Sequence, residues 1–131
     1  MFLKHCKWAL LWALVILILC GIPGRDIPHI SFLEELSFDK FVHAGIFFVQ
    51  FLLTARGFLL QTNFIKLKQS AKLISFIIGS VYGGLLEIMQ ATVIEGRCGD
   101  VYDFIADSLG AALGFAMYNW VEKIFLEKLI K

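Results

Sequence analysis

Glu87, Gln90, Arg97, Asp100, Asp103 and Asp107 fall between Gly83 and Gly114, in a chain whose surroundings are almost wholly apolar. Asp39, Lys40 and His43 open another apolar run. Charged groups inside membrane-grade sequence are costly and by default mark a functional site. The set suits three kinds of chemistry. It can bind a ligand, with Arg97 and Lys40 on a phosphate and the acids and His43 on sugar or amine groups. It can run acid/base catalysis, with His43 or Glu87 as general base and Asp103 or Asp107 as acid or as ligands for a divalent metal. It can relay protons in a small carrier through Glu87 and Asp107. No nucleophilic Ser or Cys motif accompanies these residues, so acyl-enzyme chemistry is not expected. The residues alone leave enzyme and binder open, and they name no cofactor.

Spacing places the residues on helix faces. Asp39, His43 and Phe47 repeat every four residues and Gln50 follows three later, one face of a helix. Gly79, Gly83, Glu87 and Gln90 share another. Asp100, Asp103, Asp107, Gly110 and Gly114 form a third stripe. Each glycine pair has the G-x-x-x-G spacing that lets helix backbones approach closely, and the third and fourth helices are expected to pack through them.

Composition says what these helices sit in. The 131 residues are 59% hydrophobic and 18% charged, and the mean hydropathy is +0.78. One short domain cannot hide so much apolar surface from water. The expected fold is therefore an all-α integral membrane four-helix bundle, a single domain over 1–131 with spans at about 8–22, 41–55, 73–94 and 104–121. The first apolar run, Trp8 to Ile22, follows Lys4 and Lys7 and resembles a signal peptide. It reads as an uncleaved helix because Leu19 stands where a cleavage site before Cys20 needs a small residue. The net charge of +1 and the lack of a basic patch interleaved with aromatics give no reason to expect nucleic acid. Three cysteines without a C-x-x-C pair do not make a thiolate zinc site, and no metal set is assigned.

Lys4, Lys7, Arg56, Lys66, Lys68, Lys72, Lys123, Lys128 and Lys131 fall on one side of the expected spans; Arg25, Lys40 and Arg97 fall on the other. The positive-inside rule then puts both termini in the cytoplasm. That topology gathers His43, Glu87 and Asp107 one or two turns below the outer surface, with Asp39, Arg97, Asp100 and Asp103 at the rim. A polar funnel open to the outer leaflet is expected.

Simpler roles compete residue by residue. Glu87 also fits a carboxyl hydrogen-bonded between helices, and His43 a satisfied interhelical contact. Asp100 and Asp103 fit acids favoured at a helix N-terminus, but Asp107 lies too deep for that. Arg97 also fits a counter-charge for the acids. Glu34, Glu35 and Glu95 read as solvated loop charges.

The pattern D-K-x-x-H-x-x-x-F at 39–47, E-x-x-Q at 87–90 and R-x-x-D-x-x-D-x-x-x-D at 97–107, followed by Gly110 and Gly114, resembles the VanZ-like family. These are small bacterial membrane proteins named for a teicoplanin-resistance protein. The family usually carries Asn at the position of Asp107. The resemblance implies a multi-pass protein of the bacterial inner membrane, linked with tolerance to glycopeptide or lipopeptide antibiotics. The expected partners are the lipid bilayer and a lipid-linked envelope precursor or lipopeptide. A carrier role with four spans would call for an oligomer.

Overall fold

The computed structural model describes residues 2–21, 38–92 and 101–129, and all regular structure among them is helical. The elements are α1 (Phe2–Cys20), α2 (Phe38–Leu60), α3 (Ile65–Gln69), α4 (Ala71–Thr92) and α5 (Val101–Val121). A π-helical turn, Glu122–Leu126, and a last helical turn, α6 (Glu127–Leu129), continue α5. Ser37, Arg97, Cys98 and Asp100 lie outside the described residues, as does the side chain of Asp39.

Among the described residues three helices, α1, α2 from Lys40 onward and α4, are long and apolar enough to cross a membrane. α1 starts well before the apolar run and takes Lys4, His5 and Lys7 into its first turns. Its 19 residues reach about 28 Å at ~1.5 Å per residue, close to a bilayer's hydrocarbon thickness. α5 has 21 residues but carries Asp103 and Asp107 in its first two turns.

α2 is the central helix and packs on α1, α4 and α5. Half of its apolar window is buried, against 17% for α1. α1 turns Leu10, Leu14 and Ile18 outward, and α4 does the same with Val81, Leu85 and Ile88. Unpartnered apolar rows of this kind suit lipid rather than water. Phe47 and Phe51 of α2 are fully buried, Phe47 beside Ile16 and Leu86, Phe51 beside Ala111 and Tyr118.

The glycines divide their work differently from the expectation. Gly79 and Gly83 of α4 do face α5: a Cβ on Gly79 would lie 3.7 Å from the Ala111 methyl, and one on Gly83 would meet Asp107 Oδ2 at 2.9 Å. Gly110 and Gly114 of α5, however, face α2. A Cβ on Gly110 would run into the backbone of Ala44, and one on Gly114 into the ring of Phe51. The reason is angular. Positions 107 and 111 lie on one flank of the α5 stripe and 110 and 114 on the other, so α5 wedges between two neighbours with small residues toward each.

Gln61 closes the turn after α2. Its amide donates to Phe58 O at 3.2 Å and Phe64 O at 2.8 Å, and its carbonyl accepts from Phe64 N at 2.8 Å. One fully buried side chain thus satisfies backbone groups that the helix end would leave without partners.

Candidate ligand-binding site

The N-terminal half of α2, the C-terminal half of α4 and the N-terminal half of α5 meet at one end of the molecule. His43 lies five residues into α2, Glu87 five residues before the end of α4, and Asp107 six residues into α5. At ~1.5 Å per residue all three sit about 7–9 Å from their helix ends. Helical spacing supplies the rest: Asp103 precedes Asp107 by one turn on the same stripe, and Lys40 precedes His43 by one turn.

The side chains form a connected row. Lys40 Nζ donates to Asp103 Oδ1 at 2.7 Å. Asp103 Oδ2 faces His43 Nε2 at 3.7 Å. His43 Nδ1 lies 2.8 Å from Asp107 Oδ1. A carboxylate oxygen accepts, so Nδ1–H donates to Asp107, and Nε2 is the ring nitrogen that faces Asp103. Glu87 joins from α4: its carboxylate, His43 and Asp103 each offer a ligand atom within 4.8 Å of the others.

These groups are withdrawn from solvent to different depths. Asp107 is 1% exposed, Glu87 and Asp103 are buried, and the Lys40 side chain retains 29%. The row therefore runs from a half-open ammonium inward to a fully enclosed carboxylate. Gly83 makes the inner end, because only a residue without Cβ leaves space for the Asp107 carboxylate against α4. Asp107 Oδ2 has no hydrogen-bond partner among the described residues. Chemically, the arrangement offers an imidazole with one nitrogen anchored on Asp107 and the other facing Asp103, with the Glu87 carboxylate close by. Such a group can accept a proton, hold a cation or bind a polar head group.

The expected residues divide into three sets. Lys40, His43, Glu87, Asp103 and Asp107 come together. Gln90 is buried one turn from Glu87, but its amide donates to Cys20 O at 3.3 Å and so holds the end of α1. Asp39, Arg97 and Asp100 fall outside the described side chains. The pairing of Lys40 with Asp103 was not anticipated; both are charged, and the signal was available only as unlike charges at two helix N-termini.

Arg56 differs from its sequence reading as a loop charge. It lies within α2, 7% exposed, with Nη1 3.4 Å from Glu122 Oε1. Tyr118 Oη donates to the same Glu122 oxygen at 3.1 Å. Lys72 Nζ donates to Asn119 Oδ1 at 2.8 Å and lies 5.2 Å above the Tyr118 ring. This second polar group occupies the opposite end of α2. Nothing in the local spacing of Arg56 distinguishes it from a flanking cation, since its partner is 66 residues away.

The family model described as VanZ/LLP1 matches residues 7–122, nearly the whole chain and all of the row from Lys40 to Asp107. No curated protein matches the chain. No solved structure matches it either.

Proposed function

The chain belongs to the VanZ/LLP1 family, and from that premise we propose that it is a bacterial inner-membrane protein that engages a lipid-linked envelope precursor or a lipopeptide at the outer leaflet. Antibiotic tolerance of the teicoplanin or lipopeptide type is the expected consequence. In this reading α1, α2, α4 and α5 are the four spans of a membrane bundle with both termini in the cytoplasm. The bias of Lys and Arg toward the tails and the 61–72 connection supports that orientation. The helix ends beside His43, Glu87 and Asp107 then face outward.

The single observation that carries the proposal is the buried row Lys40–Asp103–His43–Asp107 with Glu87 against it. Burying ions costs several kcal/mol each unless they are paired, and a helix-packing role would be served by fewer charges. Lys40, at the half-open end, is placed to meet a phosphate, and the acids to meet amine or hydroxyl groups. A second reading follows from His43. With Nδ1 anchored on Asp107 and Nε2 turned toward Asp103 and the open end of the row, the ring is oriented as a general base needs, so the site would modify the bound precursor rather than only hold it.

The test is susceptibility to teicoplanin and a lipopeptide in a host lacking its own copy. The host expresses wild type, Glu87→Gln or His43→Ala at matched membrane levels. Tolerance from wild type that both variants lose is the expected result. Equal protection by all three proteins would make the row a structural device, and no protection by wild type would remove the tolerance reading. His43→Gln separates binder from base: graded loss fits binding, complete loss fits proton transfer.

A further inference from the structure

We infer that His43 Nε2, Glu87 and Asp103 form a binding site for one divalent transition cation, with Asp107 as the positioning residue of the histidine. The inference rests on reading this row as the working site, but it concerns what the row holds.

The ligand geometry comes first. The three ligand atoms lie within 4.8 Å of one another. A cation bound at ~2.0–2.2 Å from nitrogen and oxygen ligands bridges atoms about 3–4.3 Å apart. The His43 Nε2 to Asp103 Oδ2 separation of 3.7 Å is inside that span. It is also too long for a hydrogen bond. The pair is therefore close enough to share a cation and too far apart to satisfy each other directly. The remaining separations, at most 4.8 Å, exceed that span by no more than roughly half an ångström.

The second observation is separate from the ligand set. Asp107, 1% exposed, holds His43 through Nδ1 at 2.8 Å. A metal-bound imidazole almost always gives its other N–H to a carboxylate, carbonyl or water, which fixes the ring and raises its basicity as a ligand. Here the carboxylate sits on Nδ1, which leaves Nε2 as the nitrogen toward Asp103. Its other oxygen, Oδ2, is buried with no hydrogen-bond partner among the described residues. Gly83 preserves the space that this carboxylate occupies. An oriented imidazole is of little use to mere packing, and it is what a ligand histidine requires.

Electrostatics favours the same occupant. Glu87 and Asp103 are buried and come from facing helices. Two carboxylates brought together in a low-dielectric interior repel unless a proton or a cation lies between them. One imidazole and two carboxylates suit Zn²⁺ or Mn²⁺ better than Mg²⁺, which dehydrates reluctantly and prefers an all-oxygen octahedron. Three protein ligands leave a coordination position for an oxygen of a bound phosphate or water.

The experiment uses the full chain, purified in mild detergent through a histidine-free tag and stripped with EDTA. Zn²⁺ and Mn²⁺ are titrated by calorimetry, and Co²⁺ is followed by its visible absorption. One cation per chain is expected, not displaced by a hundredfold excess of Mg²⁺. Glu87→Gln, Asp103→Asn and His43→Ala should abolish stoichiometric binding, with His43→Gln replacing the alanine variant if that variant loses its helical circular dichroism. Asp107→Asn should keep the stoichiometry, weaken binding about 10–100-fold and change the Co²⁺ spectrum. Glu122→Gln, at the other end, should bind as wild type. Folded wild type that takes up no cation overturns the inference, as does equal binding by Glu87→Gln and Asp103→Asn. A bound cation without tolerance overturns only the tolerance reading. Tolerance lost in Glu87→Gln with no cation in wild type overturns only the cation.

Discussion

At the N-terminal end of α2, Lys40 and His43 face Asp103, Asp107 and Glu87; at its C-terminal end, Arg56 faces Glu122, capped by the Tyr118 hydroxyl. The second pairs Arg56 with Glu122 and adds a neutral donor, while Lys72 beside it donates to the amide oxygen of Asn119. The first sets three carboxylates against one ammonium and an imidazole among the described residues. A structural ion pair has no use for the surplus, because each added carboxylate raises the cost of burial. The contrast separates charge that closes a helix junction from charge arranged for something else. Stability should reside mainly at the Arg56 end and function at the His43 end, as expected where working sites carry unfavourable groups.

The largest effect should come from the seam beneath the His43 end. Gly110→Ala drives a methyl into the Ala44 backbone and should cost about 3 kcal/mol or more, seen as a sharply lower melting midpoint and poor recovery of monodisperse protein. A variant that melts like wild type would mean that α2 and α5 are not in direct backbone contact there. Arg56→Ala comes next. It strands Glu122, whose side chain is 31% exposed, so the 3–5 kcal/mol expected of a fully buried pair shrinks to about 1–3 kcal/mol. Tolerance should persist, and Arg56→Met combined with Glu122→Gln should regain most of the loss. If Arg56→Ala instead abolished tolerance in folded protein, the division between the two ends would collapse.

Gly83→Ala pushes a methyl against Asp107. About 1–2 kcal/mol of stability should go, together with tolerance, since His43 loses its anchor. Asp107→Asn is the sharper probe. It keeps a hydrogen-bonding oxygen for His43 and should leave stability within about 1 kcal/mol of wild type, while tolerance falls. A variant as tolerant as wild type would show that the amide suffices, in keeping with the Asn that the family resemblance implies at this position. Lys40→Met takes a 29% exposed ammonium away from an Asp103 carboxylate that is 12% exposed, so about 1 kcal/mol should go after allowance for solvent screening, and a melting drop as large as that of a fully buried pair would relocate Lys40 to the structural class.

The stripes were legible because helical spacing is local. Asp103, Asp107 and Gly110, like Gly83, Glu87 and Gln90, could be placed on buried faces by counting threes and fours. The meeting of His43 with Asp107 agrees with the expectation that helices alternating in direction bring these ends together. What escaped were pairings fixed by rotation of one helix against another. Gly110 faces α2 rather than α4, Lys40 reaches Asp103, and Gln90 turns to α1. Arg56 escaped for a different reason: a cation near the end of an apolar run looks the same whether it reaches water or a carboxylate. The start of α1 was also hidden, since Lys4 and Lys7 interrupt hydropathy without interrupting a helix.

The way α1 is held has a further consequence. Gln50 donates to Ala9 O, Tyr82 to Ala13 O and Gln90 to Cys20 O; Trp12 gives a side-chain bond in return, to Ile46 O. Its neighbours grip its main chain, which every residue type provides alike. The first helix is thus free to drift on its outward face while staying docked, provided that small residues remain at Cys6 and Ala9, apolar ones at Ile16 and Cys20, and a donor at Trp12. A wholesale reshuffling of Leu10, Leu14, Ile18 and Leu19 would rewrite much of the N-terminal sequence and leave the protein's architecture unaware of it.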